Sequence, residues 1–198
     1  MTVENPLQIL SKNLYDSIEA KKSLIEFIDK SNFNKAVEAT IDSYKNGGRL
    51  YIAGNGGSAA DAQHLAAEFV SKLAVDRSPI PAEALTVDTS ILTAIGNDYG
   101  YENIFSRQVQ GKMSSKDIFL GITTSGNSVN IINALVECKK KKIYTIVFSG
   151  HDGGKVKSLS DCCVIAPGTR TSVIQEIHIL LAHSLCECVE NQFLAKNF

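Results

Sequence analysis

The sequence has 198 residues, of which 44% are hydrophobic and 21% are charged, with 20 basic side chains against 21 acidic ones. This length and composition fit one globular domain with a full core and exclude a largely disordered chain. The balanced charge offers no basic surface for nucleic acid, so we expect a small-molecule ligand.

The first ten residues, MTVENPLQIL, lack the basic region and the long apolar run of a secretory signal. No segment of the sequence suggests the roughly 20 apolar residues of a membrane-spanning helix, so we expect a cytoplasmic protein that does not enter a membrane. The five cysteines, an odd number, favour reduced thiols that pack as small apolar side chains.

Apolar residues recur at helical spacing from Leu7 to Ile28 and again from Phe33 to Lys45, which predicts two helices before the first strand. The first helix has one apolar stripe and no evident partner within the chain. It packs either on another subunit or on the core of its own domain.

Five short apolar runs then alternate with helical stretches, at residues 49–53, 83–87, 117–122, 143–148 and 162–166. Strands and helices in alternation predict an α/β fold with a five-stranded parallel sheet, doubly wound with helices on both faces. Ligands in such folds bind beyond the carboxyl ends of the strands, so the loops at those ends are the candidate sites.

The loop after the first strand is GNGGSA, residues 54–59, and it leads into a helix. Its glycines let the backbone approach a ligand closely, and the helix start presents unpaired NH groups to an anion. The loop also fits the dinucleotide fingerprint G-x-G-x-x-A, with Asp88 as the ribose partner, but Asp88 lies 34 residues beyond Gly54 instead of about 20. A plain strand-to-helix turn is the third interpretation.

The loop after the third strand is TTSGNS, residues 123–128, again at the mouth of a helix. Thr123, Thr124, Ser125 and Ser128 supply four hydroxyls, and hydroxyls with helix-start NH groups suit a phosphate. A capping role for Ser128 or Asn127 alone leaves the number of hydroxyls unexplained.

Two helices carry candidate groups for chemistry. His64 and Glu68 lie one turn apart on one face, with Asp61 three residues before His64, and Gln175 and His183 share a ridge of the last helix. Imidazole and carboxylate suit proton transfer or zinc binding, and a purely structural role is the alternative.

Asn97 and Asp98 follow an apolar helical stretch. We expect them in a turn, where they either bond their own backbone or hold sugar hydroxyls.

Several segments together resemble the sedoheptulose 7-phosphate isomerases, which have the SIS (sugar isomerase) domain. They are GNGGSAADAQHLAAEF, GNDYGYENIFSRQV, LGITTSGNSVNIINAL, GHDGGK and RTSVIQEIHILLAHSL. The resemblance runs from about Arg49 to the C-terminus and fits the two preceding helices. It implies a single flavodoxin-like SIS domain over residues 1–198, with helices for oligomerisation in 1–47 and the α/β core in 48–198.

The resemblance implies an aldose-ketose isomerase that makes D-glycero-D-manno-heptose 7-phosphate from sedoheptulose 7-phosphate, toward ADP- or GDP-activated heptose for lipopolysaccharide or capsule. It implies a homotetramer with active sites between subunits, a catalytic pair of Glu68 and His183, and one zinc per subunit held by His64, Glu68, Gln175 and His183. With Ser58 added as an aid to the phosphate, the expected substrate contacts are Asn55, Gly56, Gly57, Ser58, Glu68, Asn97, Asp98, Thr123, Thr124, Ser125, Ser128 and Gln175.

The same superfamily offers a non-enzymatic alternative, a protein that associates with the bacterial replication initiator and shares much of SAADAQHLAA and LTAIGND. In the resemblance, that relative lacks counterparts of Glu68 and His183, and this chain has both. Two departures from the isomerase pattern are minor: Thr123 stands where many members have Ser, and His151 where Lys is common.

Overall fold

The computed structural model describes residues 5–195, in which one parallel sheet lies between two layers of helices. The strands follow the order β2-β1-β3-β4-β5, and every adjacent pair is parallel. This arrangement confirms the predicted doubly wound, flavodoxin-like sheet. The strands are Leu50–Gly54 (β1), Ala82–Ala84 (β2), Ile118–Thr123 (β3), Tyr144–Gly150 (β4) and Cys162–Ala166 (β5).

Eight α-helices lie within the described range. Short 3-10 turns at Ile28–Lys30 and Tyr101–Asn103 lie between some of them. The helices are Pro6–Glu26 (α1), Phe33–Lys45 (α2), Gly57–Val70 (α3), Thr89–Tyr99 (α4), Ser106–Lys112 (α5), Val129–Lys141 (α6), Val156–Leu159 (α7) and Thr171–Leu194 (α8).

Both predicted N-terminal helices are present as α1 and α2. Asn5 starts α1 by accepting a hydrogen bond from the Leu7 NH, and Pro6 fits the first helical position, where no NH is needed. Few residues of α1 are buried and these are mostly small, whereas most of its long apolar side chains are exposed. The exposed ones are Leu7, Ile9, Leu10, Leu14, Tyr15, Ile18 and Ile25.

Alternating side chains of the strands build two cores, one on each face of the sheet. Ile52 and Leu120 point into the core beneath α2, α3 and α8, whereas Tyr51 and Phe119 point into the core beneath α5 and α6. Each fully buried large apolar side chain contributes about 1.5–3 kcal/mol to folding. The sheet therefore holds the loops at its carboxyl edge on a rigid base.

The second strand is shorter than predicted. The last residue of β2 that pairs with β1 is Ala84. One further hydrogen bond, from the Leu85 NH to the Ile52 carbonyl at 2.8 Å, follows before the chain turns toward α4. The Asp88 side chain caps α4 by accepting from the Ile91 NH at 2.9 Å. Asp88 is thus engaged as a helix cap, which removes the ribose partner from the dinucleotide interpretation.

The expectation of a turn at Asn97 and Asp98 is wrong. Both residues lie in the last turn of α4, and the chain leaves the helix at Gly100, whose φ is +85°. The positive φ suits glycine, so Gly100 ends the helix and the preceding Asn-Asp pair stays helical.

Helix α8 is long and apolar enough to meet the composition of a membrane span, contrary to the sequence expectation. Half of the relevant window is buried inside the protein, where Ile174, Ile177 and Leu181 pack in the core beneath the sheet. The composition of α8 is therefore that of a core helix.

All five cysteines carry free thiols, and four of them are buried. Burial raises the pKa of the Cys138 and Cys186 thiols to about 12, so both are protonated near neutral pH. They pack as small apolar groups, as the sequence predicts.

Candidate active site

Helices α3 and α8 bring three titratable side chains together. His64 Nε2 lies 3.1 Å from Glu68 Oε1 and 3.4 Å from His183 Nε2, although His64 and His183 are 119 residues apart in the chain. The two imidazole rings meet edge to face with centroids 4.9 Å apart. Glu68 and His183 thus lie beside the same imidazole.

These three side chains fit a divalent cation. One ligand atom from each lies within 4.8 Å of the others. The separations of 3.1 and 3.4 Å are close to the roughly 3.3 Å between two ligand atoms on a tetrahedral zinc with bonds of about 2.0–2.1 Å. Two imidazoles and a carboxylate are also a common zinc donor set.

The cluster is open to solvent on one side. The His64 side chain is 48% exposed and that of Glu68 is 20% exposed. A ligand can therefore reach the imidazole edge and the carboxylate without unfolding either helix.

Asp61 borders the cluster from within α3. Burial raises the pKa of the Asp61 carboxyl, and the imidazoles of His64 and His183 oppose that rise. Among the described residues, the buried Asp61 Oδ2 has no hydrogen-bond partner. The sequence places Asp61 one helical turn before His64, and this spacing indicates that Asp61 lies near the same site.

Gln175 lies next to the start of α3. A Cβ on Gly57 would approach Gln175 Nε2 to 2.5 Å, so glycine at this position leaves room for the carboxamide. Gln175 stands two turns before His183 on α8, and its side chain meets the glycine loop that follows β1.

The first loop has the close packing that its glycines predict. Gly56 takes φ +57° immediately before α3, and a Cβ on Gly54 would lie 2.4 Å from the Ser58 carbonyl oxygen. Ser58 is buried in the first turn of α3. The start of this helix directly follows β1 at the carboxyl edge of the sheet, and the Gly57 NH there is a suitable partner for an anion.

The second loop places hydroxyls around the start of α6. Thr123 Oγ1 lies 3.0 Å from Ser128 Oγ, and Ser125 Oγ accepts from the Asn127 NH at 3.2 Å. Ser128 occupies the cap position of α6 without a side-chain capping bond, so the first NH groups of α6 are left for a ligand. Thr124 follows β3 directly, with its carbonyl packed against Gly150.

Asn97 and Asp98 do not join these loops. Both are exposed on α4, and the Asn97 Nδ2 donates to Asp98 Oδ1 at 2.7 Å. Within residues 5–195, the structure shows no hydrogen bond from either side chain to the two loops or to the His64 cluster.

Asn55 belongs to a side-chain network that the sequence analysis missed. Its carboxamide pairs with that of Asn130, and the Tyr101 hydroxyl donates to Asn55 Oδ1 at 3.0 Å. A cavity of about 560 Å³ lies over this network, lined by Asn55, Tyr101, Glu102, Ser128, Val129 and Asn130. Contacts between residues so distant in sequence leave no spacing signal.

Comparisons with known proteins agree with this architecture. The SIS domain family model matches residues 6–150. Phosphoheptose isomerase 2 of Campylobacter jejuni is 48% identical over 99% of this chain and 98% of its own length. The phosphoheptose isomerase of Aneurinibacillus thermoaerophilus is 49% identical over 95% of this chain and 92% of its own.

A solved structure is similar over almost the whole fold. The phosphoheptose isomerase of Neisseria gonorrhoeae superposes with a TM-score of 0.88 at 38% identity, covering 94% of this chain and 100% of that one. The chain described here therefore belongs to the phosphoheptose isomerases, a family with the SIS domain.

Proposed function

We propose that the chain converts sedoheptulose 7-phosphate into D-glycero-D-manno-heptose 7-phosphate, in both anomers, as an aldose-ketose isomerase. The observation that carries this proposal is that Glu68 of α3 and His183 of α8 both lie beside His64. The relatives named phosphoheptose isomerase support the same activity. This reaction would be the first step toward ADP- or GDP-activated heptose for lipopolysaccharide or capsule.

The reaction moves a carbonyl from C2 to C1 with no net oxidation. Glu68 removes a proton from C1, the electron pair forms a C1–C2 double bond, and the C2 oxygen takes a proton from His183. The enediol then regains the carbon proton at C2 while His183 takes the proton from the C1 oxygen. Each positioned acid or base contributes about 10²- to 10⁴-fold in rate.

The two carboxylate oxygens of Glu68 have different roles in this proposal. Oε1 faces His64 Nε2 at 3.1 Å, so we assign Oε2 to the transfer of the carbon proton. Separate oxygens also reconcile the roles of Glu68 as metal ligand and as base, because a carboxylate oxygen that binds a metal is a weaker base.

We assign the cation site to zinc, one per subunit, with His64, Glu68, Gln175 and His183 as the residues that would hold it. The distances among His64, Glu68 and His183 support the assignment. When bound, zinc would polarise the carbonyl and stabilise negative charge on oxygen.

The phosphate group should lie between the two loops. The loop of Thr123, Thr124, Ser125 and Ser128 leads into α6 and would supply hydroxyls, and Gly56 and Gly57 would supply backbone NH groups at the start of α3, with Ser58 as a further aid. Holding the distant end of the substrate there would orient the reacting carbons toward Glu68.

We further propose a homotetramer in the cytoplasm. The exposed apolar side chains of α1 support contact between subunits, and free thiols fit a reducing compartment. Because Asn97 and Asp98 lie apart from the two loops, we place their contact with sugar hydroxyls in a site completed by a second subunit.

The direct test is incubation of the purified protein with sedoheptulose 7-phosphate while the aldose is followed by NMR. A chelator should abolish turnover, and added zinc should restore it. Zinc-loaded protein that forms no aldose would contradict the proposed activity, and full turnover in chelator would contradict the metal assignment.

A further inference from the structure

We propose that Tyr101 and Asn130 are positioning residues of the sugar-phosphate site, which act by fixing the carboxamide of Asn55. This inference rests on the proposed function, in which Asn55 contacts the substrate. It concerns residues on three separate elements: the loop after β1, the 3-10 turn that follows α4, and the first turn of α6.

The carboxamides of Asn55 and Asn130 form a reciprocal pair. Asn55 Nδ2 donates to Asn130 Oδ1 at 2.9 Å, and Asn130 Nδ2 donates to Asn55 Oδ1 at 2.8 Å. Asn130 is only 3% exposed, so its side chain is held by the surrounding structure. The pair links the first loop to the start of α6, where the hydroxyl-rich second loop ends.

Tyr101 completes the network from the solvent side. Its hydroxyl donates to Asn55 Oδ1 at 3.0 Å, and its residue is 62% exposed at the mouth of the 560 Å³ cavity. The turn that carries Tyr101 begins directly after Gly100 and is tied to α6, because Asn133 Nδ2 donates to the Glu102 carbonyl at 2.9 Å.

The network determines which atoms of Asn55 a ligand meets. A carboxamide oxygen accepts two hydrogen bonds, and those from Asn130 and Tyr101 fill both positions on Asn55 Oδ1. Of the two Nδ2 protons, one binds Asn130, which leaves one for a ligand. Asn55 is therefore presented as a donor, suited to a phosphate or sugar oxygen.

Fixing the amide in advance lowers the entropy lost on binding, since Asn55 does not have to be ordered by the substrate. Loss of the Tyr101 hydroxyl would leave Asn55 Oδ1 with one donor, Asn130 Nδ2, and would hold the carboxamide less firmly. This contact is remote from the reacting carbons, so its loss should weaken substrate and transition state equally and raise KM with little change in kcat.

The test is a double-mutant cycle of Tyr101→Phe and Asn55→Ala, with Tyr99→Phe as a matched control on the neighbouring turn. We expect Tyr101→Phe alone to raise KM about threefold to tenfold, the range for one neutral hydrogen bond, with kcat within about twofold. In the Asn55→Ala background, Tyr101→Phe should have no further effect, because its partner is gone. Tyr99→Phe should leave both constants unchanged.

Two results would overturn the inference: an unchanged KM in Tyr101→Phe, or an equal loss in the Asn55→Ala background, which would mean that Tyr101 acts without Asn55. Calorimetry with sedoheptulose 7-phosphate gives the same cycle in Kd. If the wild-type protein binds sedoheptulose 7-phosphate but does not convert it, the proposed isomerase activity is contradicted. The cycle in Kd would still test the role of Tyr101. A wild-type chain that does not bind this compound would contradict both.

Discussion

Arg77 and Glu190 form a buried ion pair that joins the two helices of the candidate active site. The Arg77 Nε donates to Glu190 Oε1 at 2.8 Å, with side chains only 4% and 2% exposed. The Arg77 Nη2 also donates to the backbone carbonyl of Glu68 at 2.9 Å, and Nη1 donates to that of Phe69. The end of α3 is thus tied to α8 at Glu190, seven residues after His183 on the same helix.

This pair should be important for stability. Glu190→Gln would leave the Arg77 guanidinium buried without its counter-charge, and we expect a loss of about 3 kcal/mol in the free energy of unfolding. Denaturant unfolding at one fixed protein concentration measures it, because the proposed oligomerisation would make stability depend on concentration.

The matched control is Glu187→Gln, an exposed position on the same helix, which should change the free energy of unfolding by less than about 0.5 kcal/mol. A similar small change in Glu190→Gln would show that the ion pair contributes little.

Glu68→Gln should separate binding from chemistry. The amide keeps the size of the carboxylate but cannot accept the carbon proton, so we expect kcat to fall at least about 10³-fold. Calorimetry should still detect sedoheptulose 7-phosphate, since the phosphate loops are unchanged. Metal content, measured in parallel, tells loss of the base from loss of the ion, and an active Glu68→Gln protein would refute the assignment of the base.

Gly57→Ala should displace Gln175. The added Cβ would lie 2.5 Å from Gln175 Nε2, and a flexible side-chain end can move aside. We therefore expect a change of less than about 1 kcal/mol in stability but a clear fall in kcat/KM and in zinc affinity. Gly111→Ala in α5, where an added Cβ meets nothing within 4 Å, is the control. Unchanged zinc affinity in Gly57→Ala would argue against Gln175 as a ligand.

His178 should make the protein less stable in acid. Burial lowers the pKa of His178 from 6.5 to about 4, against the opposing hydrogen bond from Nε2 to the Ser149 carbonyl. Between these values the unfolded chain binds a proton that the folded chain does not. Stability from this group is thus complete above pH 6.5 and falls by about 3 kcal/mol as the pH drops to about 4.

The measurement is the free energy of unfolding from pH 4 to 7.5 for the wild type and for His178→Gln, in which this part of the pH slope should disappear. His151→Gln, at an exposed loop position, should keep the wild-type slope. An identical slope in all three proteins would contradict the shifted pKa of His178.

Local pattern predicts the architecture well. The alternation of apolar runs predicts all five strands, and the helix from Phe33 to Lys45 has the bounds that its spacing indicates. The glycine loop and the hydroxyl loop appear at neighbouring strand ends, because β1 and β3 pair in parallel. These features depend on residues close together in sequence, where periodicity and turn chemistry act.

The remaining features depend on contacts across the chain. Nothing near Arg77 in the sequence indicates Glu190, and nothing near Asn55 indicates Tyr101 or Asn130. The misplaced Asn97 shows a related limit: Asn favours turns, yet Gly100 takes the left-handed conformation that ends α4. When several neighbouring residues could each end a helix, the packing of the whole helix determines which of them does.

The position of His183 near the end of the chain has a consequence for synthesis. The glycine loop, the hydroxyl loop and Glu68 leave the ribosome well before α8, which supplies Gln175 and His183. A nascent chain that has not yet reached α8 therefore has Glu68 beside His64 but lacks His183, and one face of its sheet lacks the apolar cover that α8 supplies. Burial of one face of the sheet and assembly of the candidate site are thus completed together, because α8 both covers that face and brings His183 to His64.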